Sequence, residues 1–289
     1  MAEIKAAMVK ELREMTGAGM MECKKALVEA NGDMEAAVDV LRKAGLAAVD
    51  KKAGRATNEG TVYAKVSDDC TMGAVVELNC ETDFVGMNEK FKAYAEKVAD
   101  AVLANDPADM DALKASELNG ETVEAIVTDC IHVMGENTQL SRFASIKGDA
   151  VSSYIHMGGK IGILVAFELG DAAVAATDAF KAYGRDIAMQ VAAAAPIAAT
   201  REEVPAATVE HEMSIYKAQA AESGKPEQIQ VKIAEGRMNK FYGEFVLTEQ
   251  AFVKDPDQKV SAYTNKVAKE LGTTIKILGF KRFVLGQED

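Results

Sequence analysis

The chain has 289 residues, of which 48% are apolar and 27% are charged; this length allows two or three domains with hydrophobic cores, and the composition is typical of a globular protein. Its formal net charge of −12 argues against a nucleic-acid-binding protein, because contacts to phosphates require clustered lysine and arginine. We find no signal-peptide core and no apolar run of the roughly 18 to 20 residues that span a bilayer, so we expect a cytoplasmic protein that binds no membrane.

The residue types that carry most enzyme chemistry are sparse and scattered in this chain. Its four cysteines and three histidines form no close pair with metal-ligand spacing and no nucleophile motif, and there is neither a phosphate loop nor a dinucleotide-binding glycine pattern. We therefore expect reduced thiols, no cofactor and no bound metal. The missing motifs lower the expectation of an enzyme without excluding one, because catalytic groups can lie far apart in sequence.

Residues 1–50 predict a compact domain of three helices, because apolar side chains recur there at helical spacing. The Thr-Gly-Ala-Gly sequence at residues 16–19 separates the first two helices. Asp33 follows a turn and is a favourable N-cap for the third helix, which we expect to end near Gly45. The polar residues 51–58 lack periodicity and predict a linker.

A repeated unit accounts for much of the remaining chain. The sequence Phe-Lys-Ala-Tyr occurs at residues 91–94 and again at residues 180–183, an offset of 180 − 91 = 89 residues. At this repeat offset the apolar pattern stays in phase, without a gap, over two strands and a helix. Each copy predicts strand, turn, strand, loop and helix in that order.

The two copies define the predicted core. The first copy belongs to a subdomain predicted at residues 59–147, and the second to a subdomain predicted at residues 148–199 and 244–289. Residues 200–243 predict an antiparallel helical hairpin, because a glycine and a proline inside this segment are placed to end one helix and begin the next. The predicted fold class is therefore α+β: a three-helix domain, two related strand-strand-helix units with antiparallel sheets, and an inserted helical hairpin.

One short segment distinguishes the first copy from the second. After its second strand come Thr82, Asp83, Phe84 and Val85, which place an acid beside a large aromatic residue at the mouth of a loop. At the repeat offset the second copy has Asp-Ala-Ala at residues 171–173, so the unit can fold without the acid and the aromatic. Alone, Thr82 and Asp83 are typical of a helix cap or an Asx-turn and Phe84 of a core residue; the repeat weakens both interpretations.

Three segments of the chain are similar to signatures of one protein family. They are residues 12–27, residues 77–85, which include the Thr-Asp-Phe-Val sequence, and residues 153–162. Their order and spacing, together with the helical hairpin, resemble bacterial translation elongation factor Ts over essentially the whole chain. After Val85 the family usually has a small residue and then a basic or polar one; here Gly86 fits this pattern and Met87 departs from it.

The resemblance implies a guanine nucleotide exchange factor that binds the GDP form of elongation factor Tu, speeds the loss of GDP and has no catalysis of its own. In the family, the segment equivalent to Thr82, Asp83, Phe84 and Val85, here called the exchange segment, enters the partner beside its magnesium and phosphate site. The resemblance makes Phe84 a wedge between partner helices and Asp83 its polar companion. The residues implied to contact the partner are Arg13, Met20, Met21, Lys24, Met134 and His156.

Alternatives remain for these residues and for the whole chain. His156 is by default a solvated turn residue, Met134 is by default a core residue, and one of Met20 and Met21 could face the core of the first domain. The three-helix domain also resembles ubiquitin-associated folds, so the chain could be an adaptor or a chaperone without exchange activity, and an enzyme with a dispersed site is the third alternative. Whether the protein forms a homodimer or a two-to-two complex with its partner stays open.

Overall fold

The computed structural model describes residues 4–287, and for residues 46–51 it describes the backbone alone. The first domain consists of the helices α1 (Ala6–Thr16), α2 (Met20–Glu29) and α3 (Met34–Lys52). The apolar faces of these helices meet in a small core that includes Leu12, Cys23, Leu27 and Leu41. The three helices predicted from the apolar spacing are therefore present.

The third helix begins where the sequence predicts and ends later. Asp33 is its N-cap, because the Asp33 Oδ1 atom accepts the Ala36 N–H at 2.9 Å. The helix ends at Lys52 and not near Gly45, so the first two residues of the predicted linker are helical. Gly45 lies inside the helix, where it packs against a second helix that contains Thr128 and His132. A Cβ at position 45 would lie 3.8 Å from the side chains of these two residues.

The first repeat unit builds a three-stranded antiparallel sheet. Its strands and helices are β1 (Glu59–Val66), β2 (Met72–Cys80), α4 (Asp83–Gly86), α5 (Glu89–Asn105), α6 (Met110–Ala115), β3 (Glu117–Leu118), β4 (Glu121–Thr122), α7 (Val123–Met134) and β5 (Thr138–Lys147). The strand order is β1-β2-β5, with Cys80 opposite both Glu59 and Thr138. Helices α5 and α7 cover the outer face of this sheet through a core that includes Phe91 and Ile126.

The second repeat unit has the same plan. Its elements, with the inserted hairpin, are β6 (Ala150–His156), β7 (Ile161–Leu169), a 3-10 helix (Ala172–Ala176), α8 (Asp178–Ala194), α9 (Ala206–Ala221), α10 (Glu227–Phe245), β8 (Ala251–Phe252), β9 (Asp255–Lys259), α11 (Val260–Glu270) and β10 (Ile275–Val284). The strand order of its sheet is β10-β7-β6. Strand β7 and helix α8 begin and end at the residues that the repeat offset gives from β2 and α5, so the internal repeat is confirmed.

The two sheets pack face to face, and the copies exchange equivalent hydrogen bonds. The Val62 N–H donates to the Gly159 carbonyl oxygen at 2.7 Å, and the Val151 N–H donates to the Cys70 carbonyl oxygen at 2.7 Å. Each residue of the second bond lies at the repeat offset from a residue of the first. The two copies are therefore related by an approximate twofold arrangement.

Glycines allow the sheets to approach closely. A Cβ at Gly73 would lie 2.8 Å from the side chains of Val151 and Leu164, and a Cβ at Gly162 would lie 2.5 Å from the side chain of Val62. Carbon atoms in contact are normally about 3.5–4.0 Å apart, so larger residues at either position would force the sheets apart. Gly162 also lies at the repeat offset from Gly73, which shows that both copies use the same device.

A buried ion pair joins the last strand to the first sheet. Glu77 is almost fully buried, and its carboxylate accepts hydrogen bonds from Arg142 Nε at 2.8 Å and from the Gly286 N–H at 2.9 Å. Arg142 also donates to the Val284 carbonyl oxygen at 2.8 Å. These bonds satisfy charges that would be costly to bury alone and fix the end of β10 against the first repeat unit.

Helices α9 and α10 form the predicted antiparallel hairpin. Its base is an apolar cluster in which Met213 of α9 packs with Met238 and Phe241 of α10. Arg201 secures the base, because it forms an ion pair with Glu249 and its guanidinium lies 4.4 Å from the centre of the Tyr242 ring. Within residues 4–287, no helix has the length and the apolar character needed to cross a membrane.

Candidate functional site

The exchange segment forms a single helical turn at the end of strand β2. Thr82 is the N-cap of helix α4, because its Oγ1 atom accepts the Val85 N–H at 3.4 Å. Val85 packs against the core of the first unit, whereas Asp83 is exposed and 80% of Phe84 is exposed. The cap interpretation of Thr82 is therefore correct, and the interpretation of Phe84 as a core residue is wrong. A rigidly held, exposed aromatic that the fold does not use is a candidate contact for a partner.

A carboxylate from a distant part of the chain anchors this turn. Glu136 accepts three hydrogen bonds, from the Glu81 N–H at 3.1 Å, from the Thr82 N–H at 3.0 Å and from the Thr82 hydroxyl at 2.6 Å. In return, the Glu81 carboxylate accepts the Asn137 N–H at 2.7 Å. We call these four residues the clamp. Sequence reasoning missed Glu136, whose only signal was its place between a helix-ending glycine and a predicted strand.

Neighbouring groups shift the pKa of Glu81 in the clamp and of Cys80, the residue before it. The hydrogen bond from the Asn137 N–H, and then Arg55 at 3.3 Å, lowers the pKa of Glu81 below its ordinary value. Burial, and then the nearby Glu136 carboxylate, raises the pKa of the Cys80 thiol to about 12. The thiol therefore stays protonated and donates to the Thr82 carbonyl oxygen at 3.1 Å. This bond holds Thr82 to the last residue of strand β2.

Helix α4 also contacts the edge strand β1 through glycine. A Cβ at Gly86 would lie 2.8 Å from the Gly60 carbonyl oxygen, so any larger residue would move the turn away from β1. The Gly60 backbone is itself confined, because its φ is +147° and a Cβ there would lie 2.2 Å from the Leu78 carbonyl oxygen. Met87 follows at the end of the turn and is exposed, which adds an apolar side chain to the surface.

The first domain presents four of the implied contact residues on α1 and α2. Arg13, Met20, Met21 and Lys24 are all exposed, so the alternative that one of the two adjacent methionines faces the core is wrong. Met15 is exposed as well, although sequence reasoning did not single it out. No signal in the sequence indicates this exposure, because Met15 lies three residues after Leu12 and so falls on the apolar stripe of α1.

A groove connects the first domain to the exchange segment. Arg13, Val85, Lys90 and Met134 line it together with the residues between α1 and α2. Met134 ends helix α7 and is half-buried against the core of the first unit, so it serves the core and also faces the groove. The structure thus brings Arg13 and Met134 to the exchange segment. Of the other predicted contact residues on the first domain, Met20, Met21 and Lys24 do not line this groove.

His156 is the last residue of strand β6, directly before the turn into β7. It is half-buried, and its Nδ1 atom is 3.0 Å from the Tyr154 hydroxyl oxygen. The next residue, Met157, is 70% exposed; sequence reasoning did not select it. Lys160 forms an ion pair with Glu59 at 2.7 Å, so this turn lies beside the first residue of β1. Since the following residue of β1 contacts helix α4, the His156 turn and the exchange segment meet at the same end of that strand.

The side chains of this surface are those that suit a contact with another protein. In the described part of the chain, residues 4–287, no group of three or more histidines, cysteines, aspartates and glutamates is placed to hold a metal ion. The surface instead combines exposed apolar side chains, basic side chains and an anchored turn. This combination suits recognition of another protein, in which a few well-held apolar anchors carry most of the binding free energy.

Comparison with known proteins identifies one family. The model of the family described as elongation factor TS matches residues 81–287. The chain is 49% identical over 289 residues to elongation factor Ts of Trichlorobacter lovleyi, with 98% of this chain and 93% of that protein covered. It is 49% identical over 299 residues to elongation factor Ts of Rhodospirillum rubrum, with 99% and 94% covered. It is 43% identical over 294 residues to elongation factor Ts of Chloroherpeton thalassium, with 100% of each chain covered.

Proposed function

This chain belongs to the elongation factor Ts family, and from that membership we propose that it binds the GDP form of elongation factor Tu and accelerates the release of GDP. The observation that carries the proposal is Phe84, which the clamp and the Gly86 contact hold at the surface while 80% of the residue stays exposed. A binding residue held in this way loses little conformational freedom when a partner covers it.

The proposed mechanism is mechanical displacement. Phe84 enters between helices of the partner, with Asp83 as its polar companion, and moves the elements that hold magnesium and the GDP phosphates. Magnesium demands near-ideal octahedral geometry and is held at such sites by few protein ligands, by phosphate oxygens and by water. Small displacements of these ligands therefore weaken magnesium binding, and GDP binding with it. This role requires no covalent chemistry from the chain.

The proposed effect is reciprocal. By thermodynamic linkage, a factor that weakens GDP binding is itself bound more weakly, to the same degree, when GDP is present. Emptying a tightly held nucleotide site needs a coupling free energy above the typical range of about 1–3 kcal/mol. We therefore propose that the complex is tightest when the nucleotide site of the partner is empty, which then allows GTP to load.

The other implied contacts would enlarge this interface. We propose that Arg13, Met20, Met21 and Lys24 bind the nucleotide domain of the partner, since flexible methionine side chains adapt well to a binding surface. Met134 and His156 would contribute at the margins of the exchange segment, because one lines the groove and the other lies at the same end of β1. We place this activity in the cytoplasm, where the ribosome elongates polypeptides.

The test is the release of a fluorescent GDP analogue from elongation factor Tu, followed by stopped flow. We expect the intact chain to accelerate release and Phe84→Ala to lose at least about tenfold of this acceleration, because truncation of a central aromatic anchor commonly costs 2 kcal/mol or more. Asp83→Ala should lose less. Val253→Ala removes an apolar side chain that is also exposed, lies in the second unit and serves as the matched control.

Two outcomes would contradict the proposal at different levels. If elongation factor Tu releases GDP as fast with Phe84→Ala as with the intact chain, the wedge assignment is wrong. If the intact chain never accelerates release but still binds elongation factor Tu, the adaptor alternative is the better description.

A further inference from the structure

We propose that Glu136 is the positioning residue of the exchange segment, so that nucleotide release depends on a carboxylate that acts through Phe84. The inference rests on the proposed function, because it concerns the rate constant of the GDP release that Phe84 is proposed to drive. It is carried by the three hydrogen bonds from Glu81 and Thr82 to one half-buried carboxylate.

Glu136 orients both the side chain that caps helix α4 and the backbone before the helix. The Thr82 hydroxyl donates its proton to Glu136 Oε1 at 2.6 Å, which leaves a lone pair of the hydroxyl oxygen for the Val85 N–H. The two backbone amides before the helix point at the other carboxylate oxygen. Hydrogen bonds to a charged acceptor are shorter and roughly twice as strong as those between neutral groups. The turn that displays Phe84 is therefore held at its start by three hydrogen bonds to one carboxylate.

The second repeat unit provides an internal comparison. There the Asp171 N–H donates to Thr273 Oγ1 at 2.9 Å, and the Gly170 N–H donates to the Thr274 carbonyl oxygen at 3.0 Å. Both copies thus tie the residues after their central strand to the segment that precedes their third strand. The second copy does so with neutral groups and has alanines in place of the acid and the aromatic. The second turn is capped by its own Asp171, whose Oδ1 atom accepts the Ala173 N–H at 2.9 Å. A carboxylate from the segment before the third strand is therefore not needed to build such a turn, and one occurs in the copy that carries the wedge.

The expected effect follows from preorganisation. Without the carboxylate the turn would sample several conformations, and binding would have to order it at a cost in conformational entropy. We expect Glu136→Ala to lower the second-order rate constant for GDP release by about tenfold, as loss of preorganisation weakens binding. Glu136→Gln keeps one oxygen acceptor and should lose less.

A double-mutant cycle separates positioning from a general loss of structure. Stopped-flow release is measured for the intact chain, Glu136→Ala, Phe84→Ala and the double variant. In the Phe84→Ala background, Glu136→Ala should change the rate constant by less than about twofold, because no aromatic is left to position. The matched control is Thr273→Ala, which removes the corresponding anchor of the second copy and should leave the rate constant unchanged.

Equal fold-losses in both backgrounds would overturn the inference, since Glu136 would then act on something other than Phe84. A loss with Thr273→Ala as large as that with Glu136→Ala would overturn it too. Thermal unfolding of each variant verifies that it is folded. If Glu136→Ala does not fold, Glu136→Gln carries the same cycle.

Amide hydrogen exchange of the free chain tests the same inference without the partner. We expect the Thr82 and Val85 amides to lose at least about tenfold of their protection in Glu136→Ala, because their hydrogen bonds depend on the carboxylate directly or through the hydroxyl. Unchanged protection would overturn the inference. If protection falls as expected while the intact chain does not accelerate GDP release, the proposed function fails and the positioning role stands.

Discussion

At the scale of single residues, the exchange segment depends on a glycine as much as on the polar side chains that anchor it. Phe84 is displayed because Thr82 caps the turn, Glu136 holds the cap, and Gly86 lets the turn lie against β1. The contact at Gly86 is the least adaptable of these, because the neighbouring atom is a backbone oxygen at 2.8 Å from where a Cβ would be. A backbone atom cannot rotate away as a flexible side chain can.

We expect Gly86→Ala to destabilise the chain by about 1–3 kcal/mol, the usual cost of overpacking a rigid site, and to slow GDP release by moving the turn. Urea unfolding and the stopped-flow assay measure the two effects. Gly236→Ala is the matched control: this glycine lies inside helix α10 with open space around it, so alanine should stabilise the chain there by roughly 0.5–1 kcal/mol. A Gly86→Ala variant as stable as the intact chain would contradict this expectation, because it would show that strand β1 moves to make room for the methyl group.

At the scale of elements, the two helices of the hairpin pack chiefly on each other. Helix α9 packs against α10, and a hydrogen bond between Arg237 and Gln219 sets the pairing of their outer halves. The apolar cluster that joins the hairpin to the core lies at its base, where Met213 meets Phe241. The contacts of the outer half are therefore mainly those between α9 and α10.

This arrangement predicts that the hairpin can be shortened. Replacement of residues 218–237 by a short glycine-serine linker should leave the rest of the chain folded, because the base cluster and the Arg201 ion pair with Glu249 are kept. We expect the melting temperature to change by less than about 5 °C, which for a chain of this size is a change of about 1–2 kcal/mol. A loss of cooperativity or a much larger drop would mean that the outer half stabilises the core.

The elements that could be predicted from the sequence are those whose pattern is local or repeated. Strand β2 and helix α5 were predictable because their apolar periodicity recurs in β7 and α8. The end of α3 was not, since the role of Gly45 depends on Thr128 and His132, which are distant in sequence. The two-residue strands, such as β3, are too short to show a period of two.

The same distinction applies to the site. The exposure of Phe84 was predictable because the second copy folds with an alanine in its place. Glu136 was not predictable, because its role exists only once β5 returns beside β2 and brings the preceding residues to the end of that strand. Met157 was missed for a similar reason: its turn becomes part of the surface only because the two sheets pack face to face.

At the scale of the whole molecule, buried thiols couple stability to pH. Burial, and then the Glu136 carboxylate, raises the pKa of Cys80 to about 12, and burial raises the pKa of Cys130 to about 12. An exposed thiol titrates near ~8.5. Between these values the folded chain keeps protons that the unfolded chain has lost, so the free energy of unfolding falls as the pH rises. Below pH ~8 both states are protonated and the contribution is constant.

We therefore expect the free energy of unfolding, measured with urea under reducing conditions, to fall between about pH 8.5 and 10, with a slope of up to about 1.4 kcal/mol per pH unit for each of the two thiols. The double variant Cys80→Ala, Cys130→Ala should show a flatter profile. Cys70→Ala is the control and should keep the decline, because Cys70 is only half-buried. A profile that is equally steep in the double variant would assign the effect to other groups.

The paired glycines between the sheets have a consequence for stoichiometry. Gly73 meets Val151 and Leu164, and Gly162 meets Val62 and Val75; each contact is the other with the copies exchanged. An interface with this property is isologous, as in a twofold homodimer, so the core has the form of a symmetric dimer joined into one chain. Such a dimer would display two identical turns, and this chain displays one aromatic, since Ala173 holds the second place. Under the proposed function, each molecule would therefore present one wedge to one nucleotide site.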